Sequence, residues 1–334
     1  MQMLENVSLK PYNTFGIDVK ADRMLFLRSA EDVDVFIENR DAYRPFLILG
    51  SGANILFTKD FHGTVVRMET KGIRELFREN GRVYVEAEAG ECWDAFVRRC
   101  VEKEFYGLEN LAMIPSQVGS AAVQNIGAYG REVKDVLQEV RAVCLETGEE
   151  KHFSRDECRF AYRSSLFKSN PGKYLVRSVV FALSLEPHFH TDYGDVAERL
   201  RQRGKPSLQA VYDVISGIRR EKLPDVKVLG SAGSFFKNPV VSAEKWVQLH
   251  AAYPQLKSFP ETGGRVKLSA AQLIDSSGWK GYRSGDAGVH ERQALVLVNY
   301  GKATGGEILQ LSRRIQADVS EKYGVQLESE VIFC

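Results

Sequence analysis

The sequence predicts an α+β protein built as two α+β domains followed by a third. Three observations carry that prediction. Alternating apolar strands and amphipathic helices are interleaved along all 334 residues; no internal repeat or low-complexity tract interrupts them; and a helical pattern from Ser207 to Pro224 stops at its proline, where a mobile connection can begin. A chain of this length can give each of two or three domains its own core.

Taken in order, Ser29 to Arg40 (SAEDVDVFIENR) predicts a helix with Ser29 as N-cap and Val33, Val35 and Phe36 near helical spacing. Arg44 to Phe57 (RPFLILGSGANILF) predicts a buried strand that breaks into a small-residue turn before a second strand-like stretch, completing a first domain over residues 1–70. Within residues 71–220, RVYVEAEAG reads as an alternating strand. CWDAFVRRCVEKE reads as an amphipathic helix with Trp93, Phe96, Cys100 and Val101 on one face. A loop-rich stretch from Leu108 to Gly130, a hairpin turning at ETGEE and the strand YLVRSVVFALSL follow. Residues 221–324 carry helices at 243–252, 268–276 and 305–323, and the chain closes with VQLESEVIFC, an alternating strand with Glu328 and Glu330 on one side.

With 45 basic and 44 acidic residues and a net charge of +1, the chain has no global attraction for nucleic acid or an anionic membrane. Its apolar run Leu175 to Leu185 is broken by Arg177 and is too short to cross a bilayer, and the first ten residues lack the apolar core of a signal peptide. A cytosolic monomer without nucleic-acid or membrane partners is expected. Five widely spread cysteines without a C-x-x-C motif read as free thiols, and His188 and His190 have no nearby carboxylate or thiol to complete a metal site, so no metal is expected.

Four stretches can carry chemistry. Gly50 to Asn54 (GSGAN) follows a strand but puts Ile55 where a dinucleotide motif needs its third glycine. It is either a row of backbone N–H groups for a pyrophosphate or an ordinary tight turn. Ile114 to Gly130 (IPSQVGSAAVQNIGAYG) suits backbone lying flat against a large planar ligand, or a glycine-rich surface loop. Arg163, among aromatics in FAYRSSLFK, is a planar two-donor contact for a carboxylate or phosphate, or a structural arginine. Ser234, in GSAGSFFKNP, is either a presented hydroxyl or an incidental serine in a turn, and the default for Glu330 is a solvent-facing strand residue.

In this order, NTFGI, LILGSGANILF, GLENLAMIPSQVGSAAVQNIGAYG, YRSSLF, KLPDVKVLGSAGSFFKNP, SAAQLIDSSGWKG, HERQALVLVN and LESEV resemble UDP-N-acetylmuramate dehydrogenase, also called UDP-N-acetylenolpyruvoylglucosamine reductase. The resemblance covers the chain from about residue 11 onward, and TDYGD at Thr191 to Asp195 resembles the longer, type I branch. It implies an α+β, vanillyl-alcohol-oxidase-like FAD fold. Residues 1–70 and 71–220 would grip the flavin, the strand 325–334 would rejoin the second of these, and 221–324 would cover the substrate. It further implies Ser234 as proton donor, with Arg163 and Glu330 beside the substrate carboxylate. Tyr193, Lys222, Asn238, Lys280 and Gln293 would hold the UDP-sugar. Gly50, Ser51, Gly52, Ala53, Asn54, Ser120, Gln124, Asn125 and Tyr129 would line a non-covalent FAD, with NADPH as co-substrate. The chain departs from the family in reading GSGAN where GEGSN is usual and PSQVGSAAVQN where a glycine and a proline are common. On this reading Gly230, Ala232 and Gly233 leave room for the substrate while Phe235 and Phe236 anchor the loop, and replacing Gly52 with leucine is expected to give folded, colourless protein.

Overall fold

Helices form where caps and apolar spacing agree. Ser29 accepts the Asp32 N–H at 3.2 Å to start Ala30–Glu38, whose buried stripe is Val33, Phe36 and Ile37. Val35, expected on that stripe, is 43% exposed, because it lies about 100° around the helix from Phe36. Gly305–Tyr323 begins with a reciprocal capping box between Thr304 and Glu307 and ends at Gly324 in the left-handed conformation.

The computed structural model describes all 334 residues, which divide into two units. The first comprises residues 1–7, 21–51 and 62–219. It holds a four-stranded sheet in the order Gln2–Ser8, Lys20–Leu27, Phe61–Met68, Phe46–Ile48. It also holds an antiparallel five-stranded sheet in the order Glu150–Ser154, Leu137–Cys144, Tyr174–Ser184, Arg82–Glu88, Ile73–Glu79. Helix Trp93–Glu102 packs Trp93 and Phe96 on Phe181 with ring centroids 6.0 and 4.9 Å away, and Cys100 is buried among them. Glu86, 3% exposed on the five-stranded sheet, is met by Arg74 and Arg141 at 2.8 Å each and by the Ser178 hydroxyl at 2.7 Å.

The stretch Leu108 to Gly130, expected as loop, contains the helix Val118–Gln124. Its small residues permit this: a Cβ on Gly119 would lie 2.8 Å from the Ala89 Cβ, so the helix presses against that strand end only without a side chain.

The second unit comprises residues 8–20, 52–61 and 220–334. One antiparallel sheet runs Gly230–Ser234, Val296–Asn299, Ala287–Val289, Arg283–Ser284, and a smaller one runs Val240–Val241, Val266–Leu268, Ser258–Pro260. The NTFGI segment is knitted into this unit. Asn13 donates to the Leu9 and Ile17 carbonyls and accepts the Ile17 N–H, and the Phe15 carbonyl accepts from Asn299 Nδ2 at 2.9 Å.

The C-terminal strand departs from expectation. Only Ile332–Phe333 is strand, and it pairs in parallel with Ile55–Leu56 rather than joining the sheet of residues 71–220. The short strand after GSGAN offers it open backbone groups: Ile332 N–H donates to the Asn54 carbonyl at 3.1 Å, Cys334 N–H to Leu56 at 3.0 Å, and Thr58 N–H to Cys334 at 2.7 Å. The Glu328 to Glu330 segment lies beside Lys237 and Phe235 through two further backbone bonds.

Candidate functional site

In the second unit, Ser234 ends the strand Gly230–Ser234 with its side chain exposed, while Phe235 and Phe236 immediately after it are 0% and 1% exposed. The Phe235 ring lies 5.1 Å from Phe236, 6.3 Å from Phe15 and 6.1 Å from Phe333. Backbone bonds hold both flanks, with Phe235 N–H donating to Leu295 at 2.7 Å and Glu330 N–H donating to the Phe235 carbonyl at 2.8 Å. Glu330 is thereby fixed one residue from Ser234, and its own carbonyl accepts from Asn54 Nδ2 at 3.2 Å. Gln293 sits in the turn before Val296, which pairs with Ser234, and its Oε1 lies 3.4 Å from the Leu295 N–H.

The small residues before Ser234 have different jobs. A Cβ on Gly230 would meet the Phe15 carbonyl oxygen at 2.2 Å, so this glycine serves the packing of NTFGI rather than room for a substrate, and Ala232 is 8% exposed. Gly233, with φ +69° and no atom within 4 Å of a built Cβ, is the position that leaves space. Asn238 accepts the Ala270 N–H at 3.0 Å at the start of helix Ala270–Ser276, Lys280 pairs with Asp275 at 2.6 Å, and Lys222 is exposed at the end of Leu208–Lys222. Gly52 has φ +66°, and a Cβ there would fall 2.1 Å from the Tyr12 carbonyl oxygen.

In the first unit, Gly50 touches the later loop: its Cβ would land 1.9 Å from Ser120 Oγ. Ser51 Oγ donates to the Pro115 carbonyl at 3.1 Å. Asn125 is fully buried with φ +44°, and its amide is engaged at both ends, donating to Ala161 at 3.0 Å and accepting from Lys134 N–H at 3.1 Å, so its contribution is the shape of the loop. Gln124 closes the helix Val118–Gln124 and is partly buried. Arg163 has φ +53° and an 18% exposed side chain. Its Nη2 donates to the Gly127 carbonyl at 2.5 Å, Glu132 lies 3.7 Å from Nη1, and the guanidinium sits 5.0 Å from the Tyr162 ring. Tyr129 meets Tyr193 edge to face at 5.9 Å.

Sequence reasoning missed Arg219 here. Its Nε is buried without a partner, and its Nη2 reaches only the Met113 carbonyl, at 3.4 Å. Met113 is itself held in the left-handed region, with its N–H donating at 2.6 Å to Asp94, which also accepts from the Tyr212 hydroxyl at 3.3 Å. Burial pushes the Arg219 pKa down, against the opposing fields of Tyr129 and Asp94, and burial pushes the Tyr129 hydroxyl up. A signal was present: Arg219 follows buried Tyr212 by seven residues, on the helix face that also buries Ile215 and Ser216.

Comparisons with known proteins decide what this constellation belongs to. Residues 224–334 match the family described as UDP-N-acetylenolpyruvoylglucosamine reductase, C-terminal domain, and residues 21–154 match an FAD binding domain. UDP-N-acetylenolpyruvoylglucosamine reductase of Pseudomonas putida is 50% identical over 333 residues, covering 99% of this chain and 98% of the relative. That of Chromobacterium violaceum is 48% identical over 336 residues, covering 99% and 98%.

The chain belongs to the UDP-N-acetylenolpyruvoylglucosamine reductase family. The crystal structure of such a reductase from Thermus caldophilus matches with a TM-score of 0.69 at 25% identity, over 99% of both chains. The protein is therefore an oxidoreductase of α+β fold, with an FAD-binding domain followed by the reductase family's C-terminal domain. The residues present fit FAD. Beside Tyr129, the reductase keeps a buried guanidinium with an orphan donor, which suits the carbonyl or phosphate oxygens that FAD carries. No helix is long and apolar enough to cross a membrane.

Proposed function

We propose that the chain catalyses NADPH-dependent reduction of UDP-N-acetylglucosamine enolpyruvate to UDP-N-acetylmuramate, as a cytoplasmic monomer in peptidoglycan precursor synthesis. The observation that carries this reading is an exposed Ser234 on a strand end anchored by two buried phenylalanines, the first of which accepts the Glu330 N–H on its carbonyl. Gly50 to Asn54, Ser120, Gln124, Asn125, Tyr129 and Arg219 would hold FAD, and neither 50–54 nor 114–130 contains a histidine or cysteine for covalent attachment. FAD, when bound, supplies a two-electron carrier between NADPH and the enolpyruvyl group.

Ser234 donates a proton to the carbon next to the substrate carboxylate. That carbon becomes basic enough for a weakly acidic hydroxyl to serve, provided the hydroxyl stays in hydrogen-bond reach, and the packing of Phe235 and Phe236 supplies the constancy. Arg163, oriented by its bond to Gly127, meets the charge that grows on the carboxylate, and Glu330, protonated or sharing a hydrogen bond, lies on the Ser234 side. Tyr193, Lys222, Asn238, Lys280 and Gln293 hold the UDP-sugar.

The two half-reactions are separable by the flavin colour in anaerobic stopped-flow. Ser234→Ala is expected to be reduced by NADPH at nearly the normal rate but to be reoxidised by the enolpyruvyl substrate about 10² to 10⁴ times more slowly. Equal loss in both halves, or normal reoxidation, would remove the proton-donor role.

A further inference from the structure

Arg163 occupies the third position of the tight turn Ala161 to Ser164, which Ala161 and Ser164 close with two backbone bonds of 3.0 Å each. Its φ of +53° is one that glycine adopts without steric cost. An arginine kept in that conformation points to a demand on its side chain. The guanidinium is fitted as closely as the backbone. The Gly127 carbonyl accepts from Nη2 at 2.5 Å, and a Cβ on Gly127 would lie 2.7 Å from Nη1.

The turn is bracketed on both sides of Arg163. Two positions before it, the Ala161 carbonyl accepts from Asn125 Nδ2 at 3.0 Å, and two positions after it, Ser165 Oγ donates to the Val123 carbonyl at 2.5 Å. Residues 161, 163 and 165 are thus joined to residues 125, 127 and 123. Ser165 is 1% exposed, and its hydroxyl also accepts the Lys168 N–H at 3.2 Å, which caps the short helix Leu166–Ser169. Lys168 Nζ returns to the Arg163 carbonyl at 2.9 Å. The helix is anchored in its turn by Phe167, 5% exposed, whose ring lies 5.2 Å from Phe153 and 5.9 Å from Tyr174. The Ser165 hydroxyl is therefore the node that joins the arginine turn, the helix after it and the loop of residues 123–127. A hydroxyl suits that place because it donates and accepts at once, and alanine can do neither.

We propose that Ser165 is a positioning residue for Arg163: its hydroxyl fixes the arginine turn to residues 123–127, so that the guanidinium meets the substrate carboxylate in the orientation that the growing charge requires. The inference rests on the reading that Arg163 contacts that carboxylate. A planar two-donor contact depends on orientation, so a turn that pivots slightly weakens the contact while the positive charge stays in the site. The loss falls on charge that develops during the reaction, and it is read in the rate of flavin reoxidation more than in substrate affinity. Reduction of the flavin by NADPH builds no charge on that carboxylate and should not sense the serine.

The test uses the full-length FAD-loaded protein as wild type, Ser165→Ala, Arg163→Ala and the double variant Ser165→Ala/Arg163→Ala. In anaerobic stopped-flow, Ser165→Ala should be reduced by NADPH within about twofold of the wild-type rate, while its limiting rate of reoxidation by the enolpyruvyl UDP-sugar falls about tenfold. The substrate Kd, titrated through the flavin absorbance, should change by less than about threefold. The double variant should be no slower than Arg163→Ala, because the serine acts through the arginine. Normal reoxidation in Ser165→Ala, equal slowing of both half-reactions, loss of bound FAD, a loss confined to substrate affinity, or effects that multiply in the double variant would overturn the proposal. If Arg163→Ala is reoxidised at the wild-type rate, the carboxylate reading of Arg163 fails and takes the positioning role with it. If Arg163→Ala is slow while Ser165→Ala is normal, the positioning role alone fails. Should Ser165→Ala not fold, Ser165→Cys, which keeps a small side chain but donates only weakly, decides by the same readings.

Discussion

Arg219 shows what a single residue contributes when its surroundings leave it half satisfied. A guanidinium with a buried, partnerless Nε and one 3.4 Å contact costs the ligand-free fold free energy, because burial removes its water without replacing the hydrogen bonds. That cost is recovered only when an acceptor binds. Arg219→Leu, which keeps the stem's bulk, is therefore expected to raise the melting temperature of FAD-free protein while weakening FAD binding by about tenfold or more. Differential scanning of the apoprotein and titration of flavin fluorescence measure the two sides separately. Undiminished FAD affinity would assign Arg219 to packing alone. Gly52 runs the other way. Its positive φ and the 2.1 Å approach of a built Cβ to the Tyr12 carbonyl mean that a side chain collides with backbone, so Gly52→Leu should lower the yield of folded protein rather than give the folded, colourless variant the sequence suggested. Circular dichroism of the purified variant decides between these outcomes.

Among the elements, the five-stranded sheet carries a charge cluster whose sign with pH can be worked out. Burial pushes the Glu86 carboxyl up, but the Ser178 hydroxyl, Arg141 and Arg74 outweigh it and hold the group below its ordinary value. A carboxyl with a lowered folded pKa contributes stability that is fully present above the unfolded value, 4.5, and is lost as pH falls through the lower folded value. Glu86→Gln should therefore destabilise the protein at neutral pH by only about 1–2 kcal/mol, since Arg74 is largely exposed to solvent and Arg141 keeps Glu139 at 2.7 Å. It should also flatten the fall in melting temperature as pH drops below about 4.5. Parallel acid limbs for variant and wild type would show that the cluster is not the titrating element.

Across the whole molecule, legibility followed the range of the forces involved. The helices Leu208–Lys222, Ala243–Ala252 and Gly305–Tyr323 were readable because caps, Pro224 and apolar spacing are local. The exposure of Ser234 beside buried Phe235 and Phe236 was legible as a motif. The partner of Ile332–Phe333, the duty of Gly230 toward Phe15 and the two hydrogen bonds of the Asn110 amide to the Tyr129 and His190 carbonyls were not, because each depends on a contact with a distant segment that no local pattern encodes. The same non-locality makes the last prediction. The second unit is completed by residues 8–20 and 52–61, which supply Leu9, Phe15, Leu56 and Phe57, each 0% exposed, and Ile17, 1% exposed. Burying an apolar side chain of this size contributes about 1.5–3 kcal/mol, so five of them amount to roughly 7–15 kcal/mol. That is as large as the whole stability of an ordinary domain, about 5–15 kcal/mol. A fragment consisting of residues 220–334 alone, although it contains the full C-terminal family match over 224–334, should therefore lack a cooperative thermal transition and well-dispersed amide resonances. A cooperative melt from that fragment would mean that residues 8–20 and 52–61 decorate a self-sufficient core instead of completing it.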